Sequence, residues 1–334
     1  MTIILLFLSV FAATVPMLGF LALIWWLDRY NREPIPLLLA VFAWGSIFAV
    51  LGALTINSFG AGVLNWLTGE ENTNVLVTMF LAPIVEVPMK AIILLAVTNT
   101  RWFDNTTDGF VYGAAAGLGF AMTENYLYFQ AHSDQGLYEW LYVVFVRTAC
   151  SGLMHAMATS VVGAALGWAH CRTRDVRIVA FCVGLGVAIL IHAVWNILIV
   201  LELYIGGQAI LLDVAIFGLE FSVVTAIFLL GIQREKRMII GELMEEARGG
   251  VLPPQHVHII ASVRRRRRHG WCPPSVDQTE YIQLATKLAF KRMQCRQRGP
   301  HQERFSAEAR TLRHALRHLL GTRPLPPISE AGPR

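Results

Sequence analysis

The sequence predicts an all-α polytopic membrane protein of about seven transmembrane helices, with its N-terminus outside and its C-terminus in the cytoplasm. Three observations carry that expectation. Of 334 residues, 55% are hydrophobic and only 15% are charged, where a soluble domain carries roughly 25% charged residues. Apolar runs of about 20 residues recur, each long enough to cross a hydrocarbon core of roughly 30 Å at about 1.5 Å per helical residue. In the short segments between runs, Lys and Arg occur only in alternate ones.

The runs are Ile3 to Leu27, Pro36 to Ile56, Val75 to Val97, Phe110 to Phe129, Trp140 to Trp168, Ile178 to Leu201 and Ala209 to Ile232. The first lacks a basic leader and a small-residue cleavage site, so it reads as a retained helix rather than a secretory signal. Arg29 and Arg32 follow the first run, Arg101 follows the third, and Arg172, Arg174 and Arg177 follow the fifth. The alternate segments Gly60 to Asn74, His132 to Glu139 and Tyr204 to Gln208 contain neither Lys nor Arg. Short basic loops stay on the cytoplasmic side, which sets the orientation. The five cysteines form no CxxC pattern and imply no disulfide framework.

The chain divides into a transmembrane region, 1–235, and a basic cytoplasmic tail, 236–334, whose charge is densest at Arg264 to Arg268. Beside an inner leaflet such a cluster binds anionic lipid headgroups, at about 1 kcal/mol per charge. No aromatic residues interleave with it, so no nucleic-acid partner is expected. Helical patterning covers Gln278 to Gln294 and Ser306 to Leu320, with Ser306 as a cap and Leu312, Leu316, Leu319 and Leu320 on one face. The ending Arg323-Pro324-Leu325-Pro326-Pro327 reads as disordered.

Ionisable residues inside the spans are the informative part. A charge at the centre of a spanning helix costs roughly 2.5–3.5 kcal/mol on insertion scales, so it must face protein or water. Glu86 and Lys90 stand four apart on the third run and share a face. Pro88, between them, frees the carbonyl of Ile84, which predicts a kink and a local opening. The fourth run carries Glu124 and Asn125 after a small-residue stretch, Gly113 to Gly119, that lets a neighbouring helix approach closely. Arg147, Ser151 and His155 form a stripe on the fifth run, and His192 and Asn196 stand four apart on the sixth. Asp213 and Glu220 lie on the seventh without an obvious partner. Counted from the run ends, Glu86 falls roughly 16 Å and His155 roughly 22 Å below the outer surface, but Glu124 and His192 only roughly 8 Å. A purely structural reading makes Lys90 and Arg147 simple neutralisers of Glu86 and Glu124, and each histidine a hydrogen-bonded core residue. The number of costly groups argues against it.

This set resembles the PrsW family of intramembrane proteases, distant relatives of the type II CAAX-prenyl endopeptidases. Asp28-Arg29-Tyr30 with Glu33-Pro34 is similar to the family's segment after its first helix. Glu86 to Lys90 resembles its Glu-Glu-x-x-Lys motif, Phe120 and Glu124 its Phe-x-x-x-Glu motif, and His155 and His192 its later histidine motifs. The likeness covers about residues 1–235 and departs at Val87, where the family has a second glutamate.

The resemblance implies hydrolysis of a peptide bond in a membrane-anchored protein, such as an anti-sigma factor, by an integral protein of a bacterial inner membrane. Glu86 would be the general base. His155 and His192, with Glu124, would either hold zinc or position the water and stabilise the oxyanion, with Asn196 as a further donor. Lys90, Arg147 and Asn125 would support them. Two other classes stay open: a transporter or proton relay, which buried Glu, Lys and His also mark, and a catalytically impaired scaffold, motivated by Val87.

Overall fold

The computed structural model describes residues 2–28, 30, 32–205, 208–297 and 302–321. Arg29, the Asp213 side chain and the stretch Arg323 to Pro327 lie outside that description. Among the described residues every regular element is helical. In chain order they are α1 (Thr2–Leu27), α2 (Ile35–Ala43), α3 (Val50–Thr68), α4 (Glu70–Leu76), α5 (Ala82–Val97), α6 (Thr106–Ala131), α7 (Leu137–Val146), α8 (Gly152–Ala169), α9 (Arg174–Ile205) and α10 (Gln208–Arg248), followed by the short α11 (Pro254–Ile260), α12 (Gln278–Gln297) and α13 (Gln302–Leu320). Three π-helical turns, Trp44–Ala49, Val77–Leu81 and Arg147–Ser151, join α2 to α3, α4 to α5 and α7 to α8.

Six helical runs among the described residues are long and apolar enough to cross a membrane: Thr2–Leu27, Ile35–Thr68, Asn72–Val97, Leu137–Ala169, Arg174–Leu201 and Val214–Arg248. The fourth expected run, Phe110 to Phe129, is helical within α6 but is not one of the six. The reason is its surroundings. Every residue from Thr107 to Ala121 is buried, so this helix faces protein and has no need of an apolar, lipid-compatible surface. The second run continues past Ile56 to Thr68. α5 passes through Pro88 without interruption, and the irregular turn comes earlier, at Val77–Leu81.

Glycines on α6 let its neighbours reach the backbone. A Cβ added at Gly109 would lie 1.9 Å from the Gly163 carbonyl oxygen, one at Gly113 2.4 Å from that of Thr159, and one at Gly117 2.3 Å from that of His155. The ridge at spacing four therefore beds directly on α8. A second ridge faces α2 and its π-turn, where a Cβ at Gly119 would meet the Phe42 carbonyl oxygen at 2.0 Å. α6 begins with a capping box, Asn105 accepting from the Thr107 and Asp108 amides while Asp108 accepts from the backbone of Asn105.

Packing divides the chain into two compact units, one of residues 1–28 and 32–229, the other of residues 29–31 and 230 onward. The second unit has its own core, centred on Ile239, Leu243, Val257, Tyr281, Leu288 and Leu316. Leu312, Leu319 and Leu320 pack against this core, as their spacing suggests. Ser306 lies inside α13 rather than capping it, because the helix starts at Gln302. α11, missed by periodicity, is a single short stretch opened by Pro254. Arg292 and Arg313 converge on Glu246, with Glu242 and Glu245 also paired to Arg292.

Replacing Gly117 by Ala is expected to force α6 and α8 apart at His155, since the clash is with backbone. The cost should be about 1–3 kcal/mol or more. Gly19→Ala, where nothing lies within 4 Å, serves as the control, and thermal unfolding in nanodiscs measures both.

Candidate active site

Four helical segments deliver the site. α5 supplies Glu86 and Lys90 from adjacent turns of one face, and Lys90 Nζ sits 3.5 Å from Glu86 Oε2. α6 supplies Phe120, Glu124 and Tyr128 at spacing four, with Asn125 beside them. The π-turn between α7 and α8 carries Arg147, and α8 carries His155. α9 supplies His192 and Asn196. Glu86, Lys90, Asn125, His155 and His192 are all buried.

The contacts form one connected network. His155 Nδ1 lies 3.0 Å from Lys90 Nζ, and its Nε2 lies 2.7 Å from Glu124 Oε2. The same Glu124 oxygen accepts from Arg147 Nη2 at 2.6 Å, while Arg147 Nε donates to Asn125 Oδ1 at 3.0 Å. His192 Nε2 approaches Glu86 Oε2 at 3.7 Å. The two histidine rings meet edge to face with centroids 4.9 Å apart. Lys90 rests 4.1 Å above the Phe120 ring, and the Arg147 guanidinium 3.6 Å above that of Tyr128. Asn196 donates to the Thr78 carbonyl at 2.8 Å, inside the π-turn before α5.

The expected residues thus come together, with a change in their grouping. Among the described residues the three whose ligand-type atoms lie within 4.8 Å of one another are Glu86, His155 and His192. Glu86 stands where the sequence suggested Glu124, because Glu124 is held by Arg147. Two histidines and a carboxylate are a zinc-type donor set. His192 Nδ1 is buried and without a hydrogen-bond partner, and the residues fit such an ion by type, although Lys90 Nζ already contacts Glu86 Oε2 and His155 Nδ1. The wide spread of depths counted along the sequence closes up here.

Sequence reasoning gave no part to Tyr128 or to the Thr78 carbonyl. The Phe120, Glu124, Tyr128 spacing was a usable signal for the first, whereas no side-chain pattern announces a backbone acceptor. It also missed a second polar cluster. Asp28 and Glu33, in the segment between α1 and α2, are buried near Asp104, Asp108 and Tyr112, and the Tyr112 hydroxyl donates to Glu33. Burial pushes the Asp28 carboxyl up to about 7 against the pull of Arg32. Burial pushes Glu33 up to about 8, opposed by the Tyr112 hydrogen bond and reinforced by Asp28.

An all-helical chain with membrane-capable helices here gathers carboxylates and histidines into one buried cluster, a donor set that hydrolytic sites use. The chain belongs to the PrsW family, since the model described as PrsW family intramembrane metalloprotease matches residues 33–231. It is similar to Protease PrsW of Bacillus subtilis (strain 168), 25% identical over 197 residues that make up 58% of this chain and 83% of the relative. It is also similar to Protease PrsW of Clostridioides difficile (strain 630), 33% identical over 107 residues, 32% of this chain and 44% of that one. No solved structure matches. The protein is therefore an integral membrane peptidase acting on a protein substrate.

The electrostatics give two expected outcomes. Arg147→Ala leaves the largely buried Glu124 without its guanidinium and should cost about 3 kcal/mol in thermal unfolding, with Arg147→Lys recovering part of it. The raised carboxyls of Asp28 and Glu33 favour the protonated folded state. Their stabilisation is complete below the ordinary values of 3.8 and 4.5 and is lost as pH rises through about 7 and about 8. The melting temperature should fall across that window, and Glu33→Gln should flatten the profile. A flat wild-type profile would contradict the assignment.

Proposed function

We propose that this protein hydrolyses a peptide bond in a membrane-anchored protein substrate, with Glu86 as the general base that activates water. The observation that carries the reading is the meeting of Glu86, Lys90, His155 and His192 from three separate segments in one buried network. Buried ionic groups on this scale are costly, and a family of proteases supplies the task. The transporter reading predicts an internal repeat, and the sequence shows no convincing one.

Each side chain has a part in the proposed reaction. Glu86 takes the proton of the attacking water, and Lys90 beside it stabilises the resulting charge distribution. His192, its Nε2 turned to Glu86 and its Nδ1 unclaimed, orients the attacking water by accepting a hydrogen bond from it. Glu124, fixed by Arg147, which Asn125 in turn holds, anchors the His155 ring. Asn196, tied to Thr78, sets the α9 register that places His192. A zinc ion would have to displace Lys90 from Glu86 and His155; held there together with His192 it would supply Lewis acidity, with Glu86 then a ligand rather than the base.

In its setting, the chain crosses the inner membrane of a bacterium seven times with the N-terminus outside, α6 included. That orientation is supported by the one-sided distribution of Arg in the short loops. A single-span protein such as an anti-sigma factor fits a site enclosed by helices. The region from 236 onward forms the cytoplasmic tail. Arg264, Arg265, Arg267 and Arg268 are exposed on a turn whose carbonyls are held by Trp271 and Gln278, an arrangement suited to anionic headgroups.

Glu86→Gln and His192→Ala should each stabilise a full-length membrane substrate in cells, with cleavage falling by at least about 100-fold. Equal expression of the variants is checked by immunoblot. Undiminished cleavage by both would remove Glu86 and His192 from the reaction.

A further inference from the structure

Lys90 stands in the middle of the group that would hold a metal. Its side chain is fully buried, and its Nζ touches two of the three members of that group, Glu86 Oε2 at 3.5 Å and His155 Nδ1 at 3.0 Å. The Phe120 ring closes it in at 4.1 Å. An ammonium has only donors, so the nitrogen it meets on His155 must present its lone pair. The proton of the neutral imidazole is then on Nε2, where it is donated to Glu124 Oε2 at 2.7 Å. Both nitrogens of His155 are committed, and neither has a lone pair left for a metal ion.

We propose that Lys90 is the built-in cation of this site and competes with a divalent metal ion for Glu86 and His155. With Lys90 in place the lysine-bridged, metal-free arrangement is the resting state of the chain. Without it, Glu86, His155 and His192 form an open site for zinc. Two features of the geometry support the exchange. The ammonium satisfies the same carboxylate oxygen and histidine that a zinc ion would use, and a divalent ion placed among them would face an adjacent positive charge in a medium that screens it poorly. Arg147 adds a second cation on the far side of Glu124, which further disfavours an added dication.

The inference rests on the reading of this cluster as the reacting site, but its test does not use cleavage. Purified wild type, Lys90→Met, Lys90→Gln and the double variant Lys90→Met/His192→Ala, each in nanodiscs, are equilibrated with zinc and then passed through a desalting column. Zinc per chain is measured by mass spectrometry, and cobalt substitution reports tetrahedral coordination by its visible absorption. The expected result is about one zinc per chain in Lys90→Met and Lys90→Gln, affinity about 10–100-fold weaker in wild type, and loss of binding in the double variant. Stoichiometric zinc in wild type with an affinity equal to that of the Lys90 variants overturns the proposal. So does failure of both Lys90 variants to gain zinc while they retain the wild-type elution profile and helical content. Should Lys90→Met not fold, Lys90→Gln decides the matter. A cleavage defect in Glu86→Gln is independent of all these readings, so the two ideas fail separately.

Discussion

The approach of α6 to α8, backbone against backbone, is the constraint on which the rest of the first unit depends. In a membrane the lipid is as apolar as the side chains, so helices are not driven together by burial of hydrophobic area and associate through close van der Waals contact and polar links. At Gly109, Gly113 and Gly117 on one side, and Gly163 and Gly167 on the other, an added Cβ would strike backbone of the facing segment. Gly117 faces the His155 carbonyl and stands seven positions, two turns, before Glu124. The contact that packs the bundle therefore also sets the 2.7 Å reach from Glu124 to His155.

Charge balance is the second constraint. Glu86 and Glu124 are matched by Lys90 and Arg147, and the two histidines lie between the pairs. A buried pair is not strongly stabilising by itself, but removing one partner leaves an uncompensated charge whose desolvation nothing repays. Each of the four is thus held in place by the others. The carboxyls around Glu33 are organised differently: Arg32 is the cation that pulls on Asp28, and burial there outweighs it and favours protonation instead of pairing. One molecule uses both ways of placing acids in a low-dielectric interior.

Much of this was readable in the sequence. Apolar runs located the spans to within a few residues at most ends, and spacing four correctly placed Lys90 on the Glu86 face. The stretch Gly113 to Gly119 announced a close neighbour, although not which helix it would be. Three kinds of feature stayed hidden for physical reasons. A π-turn has no side-chain signature, so the breaks at Trp44, Val77 and Arg147 could not be anticipated. A helix surrounded by protein loses the apolar signal that marks a span, which is why α6 reads ambiguously. The pairing of Arg147 with Glu124 was legible, but which carboxylate comes within ligand distance of both histidines depends on side-chain geometry that residue spacing does not give.

The same balance bears on Val87, where the family motif has a second glutamate. Residue i+1 points about 100° away from its predecessor, so that position does not share the Glu86 face. Val87 is completely buried, and a carboxylate there would enter packed interior. The network already contains two carboxylates and two cations, each with a partner at hydrogen-bond or ion-pair distance. A third buried acid would need a third cation or a proton, and the contacts around Glu86 and Glu124 offer no such cation. Valine is what an interior with its charges already balanced accommodates at this position.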